Sequence, residues 1–223
     1  MISQLDKDNY LKELQNDYNE MILQDITACL NLSQAGISAL MLMLCYIDCL
    51  KTYRYGLIVL DYATLQKLYH LYPNNEHLFK IMKKRKNKKS VNYYVKYINE
   101  YLKPINKGYK GNDIYYSLRC GLIHSYTARI LPNKRKYGKT NNKRKYIPQR
   151  KYIIYYTKGQ PLDKDNSHLT FDEDKNIGFS INQFYSDFRI MCDKFFAQAS
   201  KSNIIKLNIF NTKSFLGRIS FTE

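Results

Sequence analysis

The chain has 223 residues, 36 Lys and Arg against 19 Asp and Glu, and a formal net charge of +17. That length suits one elaborated domain, or at most two small ones, and can bury a core without staples. The charge points to a polyanionic partner, most simply RNA or DNA, with an anionic membrane surface or drift toward A- and T-rich coding as the alternatives.

Residues 1–20 are polar and mixed in charge, unlike a secretory leader. Leu11, Leu14, Tyr18, Met21 and Asp25 follow a 3-4-3-4 spacing, which predicts a first helix from about Leu5 to Ala28. A second helix runs from about Gln34 to Tyr55, with Gly56 as its C-cap. It is apolar nearly all round, the mark of a central, buried helix. Its longest apolar run, Ile37 to Leu50, is too short to span a bilayer and contains Asp48. A broken helical stretch follows from Tyr62 to Met82, interrupted at Pro73. Val91, Tyr94, Val95, Ile98, Tyr101 and Leu102 mark an amphipathic helix capped by Ser90 and stopped near Pro104. The next helix spans roughly Asp113 to Ile130 and is closed by Pro132.

Leu131 to Lys151 is a basic loop without hydrophobic periodicity. Tyr152–Thr157 and Ser167–Phe171 read as two short strands, a hairpin whose connection holds Gly159, Pro161, Asp163 and Asp165. A last strong helix begins at Ser180, with Gln183 completing a capping box. Its apolar stripe is Ile181, Phe184, Phe188, Met191, Phe195 and Ala199. The tail from Asn203 to Glu223 reads as a strand or an irregular arm. The expected organisation is a single mainly α domain over residues 1–223. It has a helical core to residue 130, a basic loop and hairpin over 131–179, a C-terminal helix over 180–202 and a tail.

The five cysteines, Cys29, Cys45, Cys49, Cys120 and Cys192, are odd in number and form no C-x-x-C pair. They predict free thiols in a reducing cytoplasm.

The segment most loaded with chemistry is Leu118-Arg119-Cys120-Gly121-Leu122-Ile123-His124-Ser125-Tyr126. His titrates near neutral pH and can give or take a proton. Arg stays charged, and its planar fork matches a phosphate. Together they can serve phosphodiester cleavage without a metal. Gly121 lies between them where Ala would form helix better, which suggests close approach of a partner helix or a phosphate. On an α-helix five residues turn through 500°, placing the two side chains about 140° apart, on either side of a groove. The bland alternative is an Arg paired with a carboxylate and a His that is simply hydrogen-bonded. Asp48, ionisable inside an apolar helix, needs a partner. Arg119 or His124 would serve, unless Asp48 faces water or accepts from a Tyr.

This segment resembles the signature helix of HEPN-superfamily proteins, whose hallmark is R-x4-6-H. The resemblance extends to Ser38–Leu50 and to the order of helices, and loosely covers Leu11 to Ser200. It implies a HEPN-like helical bundle, here with a small β-hairpin and a basic loop inserted after the motif helix. It further implies a metal-independent endoribonuclease, acting in phage defence or as a toxin, with no cofactor. Two motif helices would face each other in a homodimer. His124 would act as general acid or base on the ribose 2′-hydroxyl or the leaving 5′-oxygen. Arg119 would stabilise the phosphorane-like transition state, and the product would be a 2′,3′-cyclic phosphate. Asp48, Cys120, Ser125 and Tyr126 would support the pair. Cys120 stands where active members often carry Asn, Asp or His. Tyr126 extends the pattern to R-x4-H-x-Y, which resembles toxins whose antitoxin partner adenylylates the motif Tyr; packing or base stacking is the alternative. A different class of reading is a non-catalytic, HEPN-like nucleic-acid-binding or scaffold protein of a defence complex.

Two basic runs could guide RNA. Lys83 to Lys89 holds six cations in seven residues. Lys134, Arg135, Lys136, Lys143, Arg144, Lys145 and Arg150 crowd the loop after the motif, with Tyr137, Tyr146 and Tyr152 interleaved. Cations neutralise phosphates and aromatics stack bases; the plain alternative is a solvated loop. Cys120 with His124, and His70 with His77, are weak metal pairs, and no metal site is expected.

Overall fold

The computed structural model describes residues 3–32, 35–57, 60, 62–85, 91–120, 122, 152–155 and 177–219. Helix dominates: α1 (Gln4–Asp17), a π-helical turn (Tyr18–Ile22), α2 (Leu23–Asn31), α3 (Gly36–Tyr55), α4 (Tyr62–Leu71), α5 (Glu76–Arg85) and α6 (Val91–Tyr101). Then come the single turn α7 (Gly111–Asp113), a π-helical segment (Ile114–Cys120), α8 (Ile181–Lys201) and α9 (Asn203–Ile219). The one described sheet pairs β1 (Tyr152–Tyr155) with β2 (Ile177–Ser180).

The first helix departs from its expected stripe. Met21 is exposed and so is Asp25, while Ile26 and Leu30 are buried and Ile22 half-buried. The π turn causes the shift. Four-residue steps drift by about 40° each on an α-helix, and a wider turn with i→i+5 closure takes up that drift. Tyr18, Ile22, Ile26 and Leu30 therefore stay on one face. Ser3 opens α1 with a full capping box: its hydroxyl accepts from the Asp6 N–H, and the Asp6 carboxylate accepts from the Ser3 N–H at 3.2 Å.

α3 is the central helix. It packs against α2, α6, α8, α9 and the π-helical segment, burying Leu40, Met43, Leu44, Ile47 and Leu50 completely. Among the described helices it alone is long and apolar enough to cross a membrane, but over half of that window is buried inside the bundle. Gly56 ends it at φ 77°, a left-handed conformation natural only to glycine. Asn208 of α9 donates to the Arg54 carbonyl at 3.2 Å, closing one of the open carbonyls at that helix end. Pro73 separates α4 from α5, and these two form a satellite core of Leu57, Leu65, Leu68, Leu78 and Ile81.

Two expectations are corrected. The strand pair is not a hairpin: β1 and β2 run parallel, Tyr152 opposite Ile177 through Tyr155 opposite Ser180. A parallel pair needs a crossover, which a tight turn cannot supply. The second strand is the stretch leading into α8; 167–171 lie outside the described residues. The tail is the helix α9, not a strand or an arm. Ile205, Ile209 and Thr212 are buried at helical spacing, which overrides the strand preference of β-branched Ile. Ser202 begins the helix, its hydroxyl accepting from the Ile205 N–H. α9 runs parallel to α1, held by Lys206–Asp8 and by Lys213 to Glu13 and Asp17.

α8 buries the whole expected stripe from Ile181 to Ala199. Ser180 caps it by accepting from the Gln183 N–H, but the Gln183 side chain turns instead to Asp187. Asp187 is 4% exposed and also accepts from the Tyr109 hydroxyl at 2.7 Å. Burial raises its pKa, and the donors from Tyr109 and Gln183 offset only part of that rise. A folded-state value above the unfolded one means that protonation favours the folded chain. This contribution is complete below the ordinary carboxylate range and lost as pH rises through the elevated value. Asp187→Asn removes it. Wild type therefore gains stability on the variant as pH falls from neutral toward about 4. Paired thermal melts across that range check this; a constant gap would refute it.

Candidate functional site

The segment carrying Arg119 is aimed by three contacts. Ile114, Leu118 and Leu122 are buried at four-residue spacing, and the π-helical turn keeps all three against the core. Gly111 starts the segment hard against α6: a β-carbon there would lie 2.7 Å from the Val95 carbonyl oxygen. Since that obstacle is backbone, Gly111→Ala must push the segment off α6. A destabilisation of about 2 kcal/mol is expected in urea unfolding, the cost of overpacking. An unchanged midpoint would show that α6 gives way freely.

This aiming places Arg119 beside α3. Asp48 accepts from Arg119 Nε at 2.9 Å and lies 2.8 Å from Nη2, both through Oδ2. Its Oδ1 accepts from Lys51 Nζ at 2.6 Å. One carboxylate thus bridges two cations, leaving one net positive charge. The Arg119 and Asp48 side chains are 26% and 23% exposed, so the cluster is partly open to solvent at both. Lys51 is deeper, at 10%. Among the described residues, Arg119 Nη1 finds only the Cys120 sulfur, at 4.0 Å.

Aromatic faces wall the cluster. The guanidinium carbon of Arg119 lies 5.6 Å from the centre of the Tyr115 ring, and Lys51 Nζ lies 5.9 Å from that of Tyr94. Such contacts favour a cation held away from bulk water. Tyr94 and Tyr115 meet edge to face at 5.1 Å, and the Tyr94 hydroxyl donates to the Leu44 carbonyl. Burial alone would lower the Arg119 pKa, but the Asp48 carboxylate more than reverses this and raises it above its ordinary value. Cys45 and Cys49, on the same helix as Asp48, are exposed to solvent. Burial, reinforced by Cys120, raises Tyr115 to about 12.

Of the expected site residues, Arg119, Asp48 and Cys120 come together, and the partner sought for Asp48 is Arg119. His124, Ser125, Tyr126 and Gly121 lie outside the described residues. So do Lys134, Arg135, Lys136, Lys143, Arg144, Lys145 and Arg150, and the side chains from Lys83 to Lys89. The expected α-helical separation of Arg119 and His124 assumed a regular helix, whereas the helix is π-helical through Cys120. Among the described residues, no three His, Cys, Asp or Glu side chains gather as metal ligands. Sequence reasoning missed Lys51, Tyr94 and Tyr115. The D-x-x-K spacing of Asp48 and Lys51, one helical turn, was the available signal.

No family model, curated protein or solved structure matches the chain. The functional reading therefore stands on the motif and on the Asp48–Arg119 geometry.

Proposed function

We propose that the chain is a HEPN-type, metal-independent endoribonuclease acting from the cytoplasm in phage defence or as a toxin, with Arg119 and His124 as its catalytic pair in a homodimer. The observation that carries this reading is the state of Arg119. Its guanidinium is oriented through Nε and Nη2 by Asp48, is partly open to solvent, and sits in a cluster with one positive charge left over. A pre-oriented fork can meet charge that develops on a phosphoryl oxygen without reorganising first. The net charge of +17 supports an RNA substrate. In this reading His124 moves the proton between the 2′-hydroxyl and the leaving oxygen.

A second reading draws on the same ion pair. An Arg with two donors on a carboxylate can be a structural anchor. The chain would then be a non-catalytic RNA-binding or scaffold subunit of a defence complex. Incubating pure protein with end-labelled RNAs in EDTA separates the two. The nuclease reading expects 2′,3′-cyclic phosphate ends and a loss of about a hundredfold or more in His124→Ala. No cleavage by wild type across varied RNAs would leave the anchor reading in its place, and equal cleavage by both proteins would point to a contaminant or another site.

A further inference from the structure

Asp48 creates an electrostatic difficulty. A carboxylate that takes two donors of a guanidinium also cancels the charge by which that guanidinium attracts an anion. Lys51 removes the difficulty. Its ammonium is fixed 2.6 Å from the other carboxylate oxygen, three residues along the same helix. Tyr94, itself fully buried, flanks the ammonium. At 10% exposure Lys51 is poorly placed to reach a phosphate directly. Arg119, more open, is well placed to do so.

We infer that Lys51 is a positioning residue of an RNA-phosphate site: it neutralises Asp48, so that the carboxylate orients Arg119 without silencing its charge. This rests on reading Arg119 as the phosphate-contacting group. It does not rest on cleavage. The pairing assigns separate tasks to the three side chains: Asp48 sets the angle of the fork, Lys51 restores the charge, and Arg119 meets the ligand.

The test is fluorescence anisotropy with the full chain and a single-stranded 2′-O-methyl RNA oligonucleotide, in EDTA, over a series of salt concentrations. Such an oligonucleotide offers phosphates but has no free 2′-hydroxyl to attack them. Lys51→Met leaves Asp48 and Arg119 cancelling each other. Affinity should fall roughly tenfold, and the salt slope should shrink by up to about 0.7. Lys51→Arg should hold wild-type affinity. The double variant Asp48→Asn with Lys51→Met leaves Arg119 unopposed, and its affinity should return to within about threefold of wild type. A purely structural Lys51 would instead make affinity follow the melting temperature, and the double variant would bind no better than Lys51→Met. That result, or unchanged binding by Lys51→Met, overturns the inference. Unchanged binding by Arg119→Ala, or no binding by wild type, overturns it together with the phosphate role of Arg119. Failure to cut ordinary RNA alone would count against the nuclease reading and leave this one standing.

Discussion

Asp48→Ala should lower the unfolding free energy by about 3 kcal/mol, near the low end for a buried ion pair, because this part-buried carboxylate serves two cations at once. The cause is local. Lys51 and Arg119 both point at this carboxylate, and without it two cations are left facing each other in a site that is 10% to 26% exposed. For a chain of this length the melting temperature should fall by about 10 °C. Asp48→Asn keeps the shape and part of the hydrogen bonding, and should lose less. The Lys80–Glu76 pair provides the contrast: at 68% and 85% exposure it is screened by solvent, and breaking it should be almost neutral. Thermal melts of these variants settle the comparison. A loss at Asp48 as small as at Glu76 would mean that water reaches the cluster far more freely than its burial indicates.

Arg119→Lys should reduce RNA cleavage by about a hundredfold or more on the proposed reading, the scale of one lost transition-state donor, while leaving the fold intact. Lysine can still reach Asp48 with one ammonium hydrogen and keeps the positive charge. It has no planar fork, so it cannot hold the carboxylate along one edge and present another edge to a phosphate. Single-turnover rates on a labelled RNA, beside circular dichroism of the same samples, separate geometry from folding. Cleavage within a few-fold of wild type would show that charge alone suffices and that orientation by Asp48 is incidental.

Much of this was legible in the residues, and the failures have physical causes. A carboxylate inside the apolar run of α3 had to find a partner, and Arg119 was one of the two expected. The stripe of α8 and the Gly56 stop followed from period and cap. The first helix was misread past Tyr18 because regular α-helical spacing pointed to Met21 and Asp25; a π-helical turn adds width and brings Ile22 and Ile26 to the core instead. Four-residue spacing repeated from Tyr18 to Leu30 was the overlooked sign, and it recurs at Ile114, Leu118 and Leu122. α9 was misread because Ile and Phe suit strands as well as buried helix faces. A lysine near a helix end reads as a solvated residue; the D-x-x-K spacing ties Lys51 to Asp48, and the approach of Arg119 in three dimensions gives that pair its second meaning.

The cap that Asn208 places on α3 spans 154 residues of chain, and the Lys213–Asp17 bond spans 196. Contacts of such separation come late, since the intervening chain must be gathered before they repay its ordering. During synthesis the helix carrying Asp48 therefore emerges early and waits for α9 to cover its flank. A nascent chain halted before Asn203 leaves that flank bare and offers apolar surface to chaperones or to other unfinished chains. Covering that flank of α3 with α9 is thus a late step of folding, and it protects the apolar surface of the central helix.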